Sequence, residues 1–473
     1  MTFQTFSYLL FLCCVTAITL LLKTVRQRQI LLLCASYLFY YSVQPVYLPL
    51  LIGASIFNWG CGWCLGKMRD RPSLLWFGIA VNLTPLISFK YVLATFGSRD
   101  ALSGASLLLV PLGLSFYTFQ SISYLIDVYK NPGFSGTVLE VMLYIGFFPT
   151  VQSGPVGRGP VLIPQFRNDK RVGYDRISDG IQRILVGLFL KTVLADTLGR
   201  GFSSGEGVNF GFDQLGGGWS GIDVWFLAVG YGFQLFFDFA GYSNIAIGSA
   251  LLVGIQLPEN FNEPFLAANP SEFWKRWHMS LSSWINDYVF FPLAMLGRTM
   301  RWRYASLLLS MTIFGIWHGN RLTFALWGLY HGCLLLAHRH WLRLRQTGTL
   351  PNLKAPSWIT TCICTAATFM AISLGWIFFR ANNLRQVVMM FQALLDIRTY
   401  ATLNLRHNYY YLVALVGFVY SAHLLTSRLI STARSSLAGE RLVWLLEPAY
   451  FAVILFAIII FGNQGASFVY FQF

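Results

Sequence analysis

Residues 222–252 read IDVWFLAVGYGFQLFFDFAGYSNIAIGSALL, an apolar run that Gln234, Asp238, Tyr242, Ser243 and Asn244 interrupt. A helix crosses a bilayer with roughly 20 mostly apolar residues, so this run is long enough to span one. Polar and ionisable groups at that depth are expensive when they face lipid. The five side chains are therefore expected to face inward, toward a tunnel.

The composition extends this reading to the whole chain. Of 473 residues, 55% are hydrophobic and 11% charged, against about 25% charged in soluble domains, which excludes a water-soluble globule. About twelve apolar segments of spanning length begin near residues 6, 30, 46, 74, 106, 181, 222, 305, 321, 358, 409 and 443. The expected fold is an all-α polytopic membrane protein of roughly 11–13 transmembrane helices, with re-entrant segments around a central tunnel.

Residues 105–332 carry polar, Gly and Pro interruptions, which membranes tolerate only where protein buries the backbone or a cavity solvates it. Glu140 to Thr150 is apolar but short, ends at Pro149 and leads into Ser153–Pro160, so it is predicted to enter the membrane and return. The latter stretch resembles a phosphate loop only superficially, since it lacks the Gly-Lys-Ser/Thr ending and its prolines disfavour a helix start.

Basic residues cluster on alternate connections, as the retention of Lys and Arg in cytoplasmic loops requires. Lys23, Arg26 and Arg28, then Lys67, Arg69 and Arg71, then Lys130 mark inner loops and place the N-terminus outside. Arg380, Arg385, Arg398 and Arg406 fall on the outer side, so that connection is longer, re-entrant or bound to an acidic partner. The net charge of +15 thus reflects topology and attraction to anionic membrane lipid, not nucleic-acid binding. The first helix reads as an anchor, lacking a small-residue cleavage site.

Other patterns fail on context. Cys61 and Cys64 form a CxxC among Gly60, Gly62 and Gly66, small residues that suit close helix packing. His338 and His340 are interleaved with arginines and have no adjoining Cys or carboxylate cluster, which argues against a metal site. The GxSxG match at 201–205 lies in a Gly-rich loop, without the strand and helix of a hydrolase elbow.

Two Trp-His pairs, Trp277-His278 and Trp317-His318, carry the strongest chemical signal. Histidine titrates nearest neutrality and is costly at membrane depth without a partner, ligand or reacting proton. For each a structural role stands beside the chemical one, such as bridging helices through the ring nitrogens.

Phe237-Asp238-Phe239-Ala240-Gly241-Tyr242-Ser243, Pro258-Glu259-Asn260-Phe261-Asn262-Glu263-Pro264, Phe273 to Ser282 and Trp317-His318-Gly319 together resemble the membrane-bound O-acyltransferase family. Pro111 to Gln120 and Phe147-Phe148-Pro149 are similar to its bacterial branch, which includes the alginate O-acetyltransferase membrane subunit. The stretch after Asp287 to Leu293 departs from that branch, continuing Ala294-Met295-Leu296-Gly297-Arg298 where many relatives have Gly-Gly-Asn-Arg. The aromatic tail, Phe468 to Phe473, resembles that of polysaccharide acetylation systems.

The resemblance implies one integral membrane domain over 1–473: N-terminal helices to 104, a catalytic core over 105–380, and C-terminal helices with the tail over 381–473. By position His318 is the active-site histidine and His278 the second histidine of the pattern, with Asn260 and Asp287 as polar positions around it. Asp238, Tyr242, Asn244, Asn260, Arg276, Asp287 and Trp317 are the expected substrate-facing set. Asp238 either binds donor, lines the tunnel or is paired within the bundle. Lys275 and Arg276 either attract a phosphate-rich donor or serve as topology charges.

The implied activity is transfer of an acetyl group from cytoplasmic acetyl-CoA, with no tightly bound cofactor and no metal, for O-acetylation of an exported polysaccharide. The implied setting is the bacterial cytoplasmic membrane, with an extracytoplasmic SGNH-type transferase as partner at the outer face or the tail. D-alanyl transfer from a carrier protein to teichoic acid is the chemical rival. A secondary transporter is the rival of another class, since interrupted helices also mark substrate paths; no internal inverted repeat is visible to support it.

Overall fold

The computed structural model describes residues 1–68, 71–92, 110–131, 133–168, 172–201, 207–214, 217–349, 357–434 and 440–462. Among the described residues every regular element is helical. The principal helices are α1 (Phe6–Leu21), α2 (Val25–Val43), α3 (Leu48–Lys67), α4 (Pro72–Ile87), α5 (Leu114–Lys130), α6 (Val138–Gly146), α7 (Gly159–Phe166), α8 (Tyr174–Leu188) and α9 (Gly221–Leu252). They continue as α10 (Met279–Ile285), α11 (Met300–His318), α12 (Leu322–Gln346), α13 (Ser357–Arg380), α14 (Leu384–Leu395), α15 (His407–Arg434) and α16 (Glu440–Phe461). Each segment expected to span overlaps one of them. The aromatic tail and residues 202–205 of the GxSxG match lie outside the described residues.

Five helical stretches, Pro45–Lys67, Pro72–Val92, Gly221–Leu252, Trp358–Arg380 and His407–Ala433, are long and apolar enough to cross a membrane. The protein is a multi-pass, all-α membrane protein. Among these stretches α9 is distinctive, with 89% of its most apolar window buried. That burial lets one helix combine spanning length with buried Gln234, Asp238, Tyr242 and Ser243.

The chain gathers into two compact units, residues 1–187 with 242–259, and residues 188–241 with 260–473. In the first unit α6 starts at a capping box, in which Thr137 Oγ1 accepts from the Glu140 amide and Glu140 Oε2 accepts from the Thr137 amide. Arg167 clamps the same carboxylate with Nε and Nη2 at 2.8 and 2.9 Å. At nine residues, α6 reaches only about 14 Å, too short to cross, and the turn at Phe147–Thr150 sends the chain back through buried Val151 to Val156. Gly113 (φ +73°) makes this possible, because a Cβ there would lie 1.8 Å from the Val151 carbonyl oxygen. A short helix followed by a buried turn is therefore what the segment Glu140 to Thr150 forms.

Gly62 of the CxxC neighbourhood also serves packing: a Cβ on it would meet the Tyr124 ring of α5 at 2.6 Å, whereas Gly60 faces open space. All eight cysteines are free thiols.

In the second unit α11 and α12 form a helical hairpin closed by Gly319–Arg321. A Cβ on Gly315 would lie 2.2 Å from the Phe324 carbonyl oxygen, and one on Gly328 2.1 Å from that of Met311. The two backbones therefore touch directly, which fixes His318 at the end of α11 against the first turns of α12. The arginine-rich connection after α13 holds α14 and a 3-10 turn at Ile397–Ala401, and Arg380 Nη2 pairs with Asp213 of the same chain at 2.7 Å.

Gly328→Val should force α11 and α12 apart, lower stability by about 1–3 kcal/mol and abolish activity. A melting curve in detergent checks this, and Gly60→Ala, placed in open space, should leave the melt unchanged.

Candidate active site

His318 is the last residue of α11 and is buried, at 4% exposure. Its imidazole lies within a ring of aromatic side chains. Centroid separations are 4.6 Å to Trp317, 4.9 Å to Phe379, 5.1 Å to Phe314, 5.1 Å to Trp327 and 6.2 Å to Phe324. Such a setting excludes bulk water from the imidazole.

His278 caps the start of α10 in the left-handed conformation (φ 42°, ψ 53°), an uncommon state for a residue with a Cβ. Asn260 holds it there. The Asn260 backbone carbonyl accepts from the Met279 amide at 2.8 Å, and its side-chain oxygen lies 2.5 Å from Ser280 Oγ and 3.3 Å from His278 Nδ1. With that oxygen as acceptor, Nδ1 carries the proton and Nε2 is the basic nitrogen. Phe239 packs edge-on against the ring at 4.6 Å. His278 lies between spans, and burial pushes its imidazole down to about 3, so it is neutral at physiological pH.

Trp277 belongs to the same aromatic system as His318 through Trp376 at 5.0 Å, Phe379 at 6.1 Å from Trp376, and His318 beyond. The two Trp-His pairs are thus joined by packed rings. Arg276 donates from Nε and Nη2 to Glu272 at 3.0 and 2.7 Å. Asp287 is exposed and accepts from Asn286 at 3.1 Å.

Tyr242 and Asn244 fall in the first unit. Tyr242 stacks on Phe3 at 4.6 Å and its hydroxyl lies 3.5 Å from Gln152 Oε1. Asn244 accepts from Arg183 at 2.9 Å, and that arginine also pairs with Glu259.

A cavity of about 490 Å³ opens between α10, α11 and α12. Exposed Lys275 and Arg339 line it together with Ser271, Ser282, Ser283 and Asn286, while Trp274, Phe314 and Leu335 form its buried side. Residues four apart share a helix face, so the lining stripe Leu307, Met311 and Phe314 on α11 runs on to His318. Among the described residues no three His, Cys, Asp or Glu side chains are placed to hold a metal ion.

Residues 217–379 match the family model of the membrane-bound O-acyltransferases. The chain is 34% identical over 391 residues to the probable alginate O-acetylase of Pseudomonas aeruginosa, covering 79% of this chain and 71% of that protein. The chain belongs to the membrane-bound O-acyltransferase family. It is also 34% identical over 393 residues to the peptidoglycan O-acetyltransferase of Helicobacter pylori, with 76% and 72% of the two chains covered. Similarity extends to the teichoic acid D-alanyltransferase of Streptococcus thermophilus, at 30% identity over 340 residues, covering 66% of this chain and 77% of that one. The protein is a multi-pass membrane acyltransferase.

Two features of this acyltransferase carried no usable sequence signal. Lys191 of the π-helical turn Phe189–Ala195 is fully buried and places its ammonium 2.7 Å from both Asp196 Oδ1 and Asp238 Oδ1, so Asp238 is paired within the bundle. His331 of α12 is fully buried between Trp274 and Trp327, at 5.2 and 4.9 Å, and neither ring nitrogen has a hydrogen-bond partner among the described residues. It was visible only as a lone histidine in an apolar run.

Lys191→Met should destabilise the enzyme by about 3–5 kcal/mol, because it strands buried carboxylates; adding Asp238→Asn should recover part of the loss in the same thermal assay. The depressed His278 also has a signed consequence. Below the unfolded value of 6.5 the unfolded chain binds a proton that the native ring refuses, so stability falls as pH drops from there toward 3. His278→Gln should flatten that part of the Tm–pH curve relative to wild type.

Proposed function

We propose that the enzyme transfers an acetyl group from cytoplasmic acetyl-CoA, through the membrane, for O-acetylation of an exported or cell-envelope polysaccharide of the alginate, cellulose or peptidoglycan type. The observation that carries the donor half is the cavity between α10, α11 and α12, with basic Lys275 and Arg339 at its exposed side and an apolar wall that includes Phe314, whose ring packs 5.1 Å from that of His318. A nucleotide phosphate suits the basic end and an acyl thioester the apolar one. The acceptor half rests on the relatives named for alginate and peptidoglycan O-acetylation.

In this reading His318 takes the proton of the acceptor hydroxyl as its oxygen attacks the thioester carbonyl. The tetrahedral oxyanion collapses, the carbon–sulfur bond breaks, and the thiolate leaves with the proton that His318 returns. Trp317 walls the site against hydrolysis of the donor. Asn260 and His278 shape the segment between the cavity and α9, and Arg276 with Glu272 braces the helical turn that carries Trp274. Acetyl-CoA is a substrate here, and no bound cofactor or metal takes part. An SGNH-type transferase outside the bacterial cytoplasmic membrane, met at the outer face or the aromatic tail, completes delivery to the glycan.

D-alanyl transfer from a carrier protein is the second reading, favoured by the likeness to the Streptococcus enzyme. Vesicles containing the enzyme and its partner separate the two: labelled acetyl-CoA supplied on the cytoplasmic face should label an oligosaccharide on the other, and D-alanyl carrier protein should not. The opposite pattern would replace the first reading with the second.

A further inference from the structure

We infer that an aromatic cage centred on Trp327 limits the transferred group to a short acyl chain, and that Trp327 and Phe379 set the limit. The inference rests on the proposed thioester reading and deepens it. For His318 to act as base, the acceptor oxygen must lie about 3 Å from a ring nitrogen and about 3–3.5 Å from the thioester carbon. The acyl carbonyl therefore stands within about 6 Å of the imidazole. Trp317, Phe379, Phe314 and Trp327 already occupy that shell, with centroids at 4.6 to 5.1 Å.

The donor sulfur and the acceptor hydroxyl claim the remaining approaches, so the far end of the acyl group must point into rings. Whether it can push them aside depends on how they are held. Trp327 is 1% exposed and is packed by Phe314 at 5.6 Å, Phe379 at 5.1 Å, Trp274 at 5.9 Å and Trp376 at 6.2 Å. His331 backs it at 4.9 Å and is itself pressed against α13, where a Cβ on Gly375 would lie 2.7 Å from its Nε2. Close-packed interiors do not absorb even one extra methylene freely. Trp327 is thus a fixed wall, with Phe379, 1% exposed, closing the neighbouring side.

The test is a chain-length series of acetyl-, butyryl- and octanoyl-CoA with the full-length enzyme in nanodiscs, read as thiol release. Each methylene that a pocket rejects is worth roughly 10-fold or more in kcat/KM. Wild type should therefore favour acetyl over butyryl by about 100-fold and show no octanoyl turnover. Trp327→Leu and Phe379→Leu should each raise the butyryl-to-acetyl ratio at least about tenfold, while Trp358→Leu, exposed at the opposite end of α13 from Phe379, should not. Because a ratio is read, partial loss of folded enzyme cancels, and Phe379→Leu tests the cage independently if Trp327→Leu folds poorly. Wild type that turns over butyryl-CoA as well as acetyl-CoA, or variants that keep the wild-type ratio, would overturn the inference while leaving the thioester reading intact. Absence of turnover with every acyl-CoA would instead remove the donor reading, and the inference with it.

Discussion

A charge inside a spanning helix has to be neutralised within the protein, and in α9 the ammonium of Lys191 does this for Asp238 while also meeting Asp196. The ion cluster ties the π-helical turn after α8 to the middle of α9 in the second unit. It permits the most buried of the spanning stretches to carry polar groups at a depth where lipid would reject them. Loss of Lys191 alone would leave Asp238 as an uncompensated buried charge in α9.

Aromatic packing then does for the site what ion pairing does for the scaffold. The direct backbone contact of α11 with α12, through Gly315 and Gly328, brings His318, Trp327 and His331 onto one surface, and α13 closes it with Trp376 and Phe379. In the proposed reaction this packing would keep water from the thioester donor. Asn260 supplies the second fixed point by holding His278 in a left-handed turn at the start of α10.

Much of this is legible in the chain. The length and apolarity of residues 222–252 announce a spanning helix, Pro149 and the following glycines announce the end of α6, and the Trp-His pairs stand out because histidine is rare in such surroundings. What is not legible depends on partners distant in sequence. Nothing around Lys191 indicates that it reaches a carboxylate on α9, 47 residues away. His331 has no neighbouring pattern, and its place behind Trp327 follows only from the α11–α12 contact. Gly60 and Gly62 look equivalent in sequence, yet only the second touches another helix. Spacing identifies which side chains share a face, and tertiary packing decides what that face meets.

The most direct test of His318 as the base of a thioester-consuming acyl transfer is release of free coenzyme A from acetyl-CoA by the purified enzyme in lipid nanodiscs, with wild type and His318→Ala compared. A general base contributes about 10²–10⁴-fold, so release should fall by at least that lower factor in a variant that melts like wild type. Equal release by the two proteins would contradict a catalytic His318 and return the residue to a packing role.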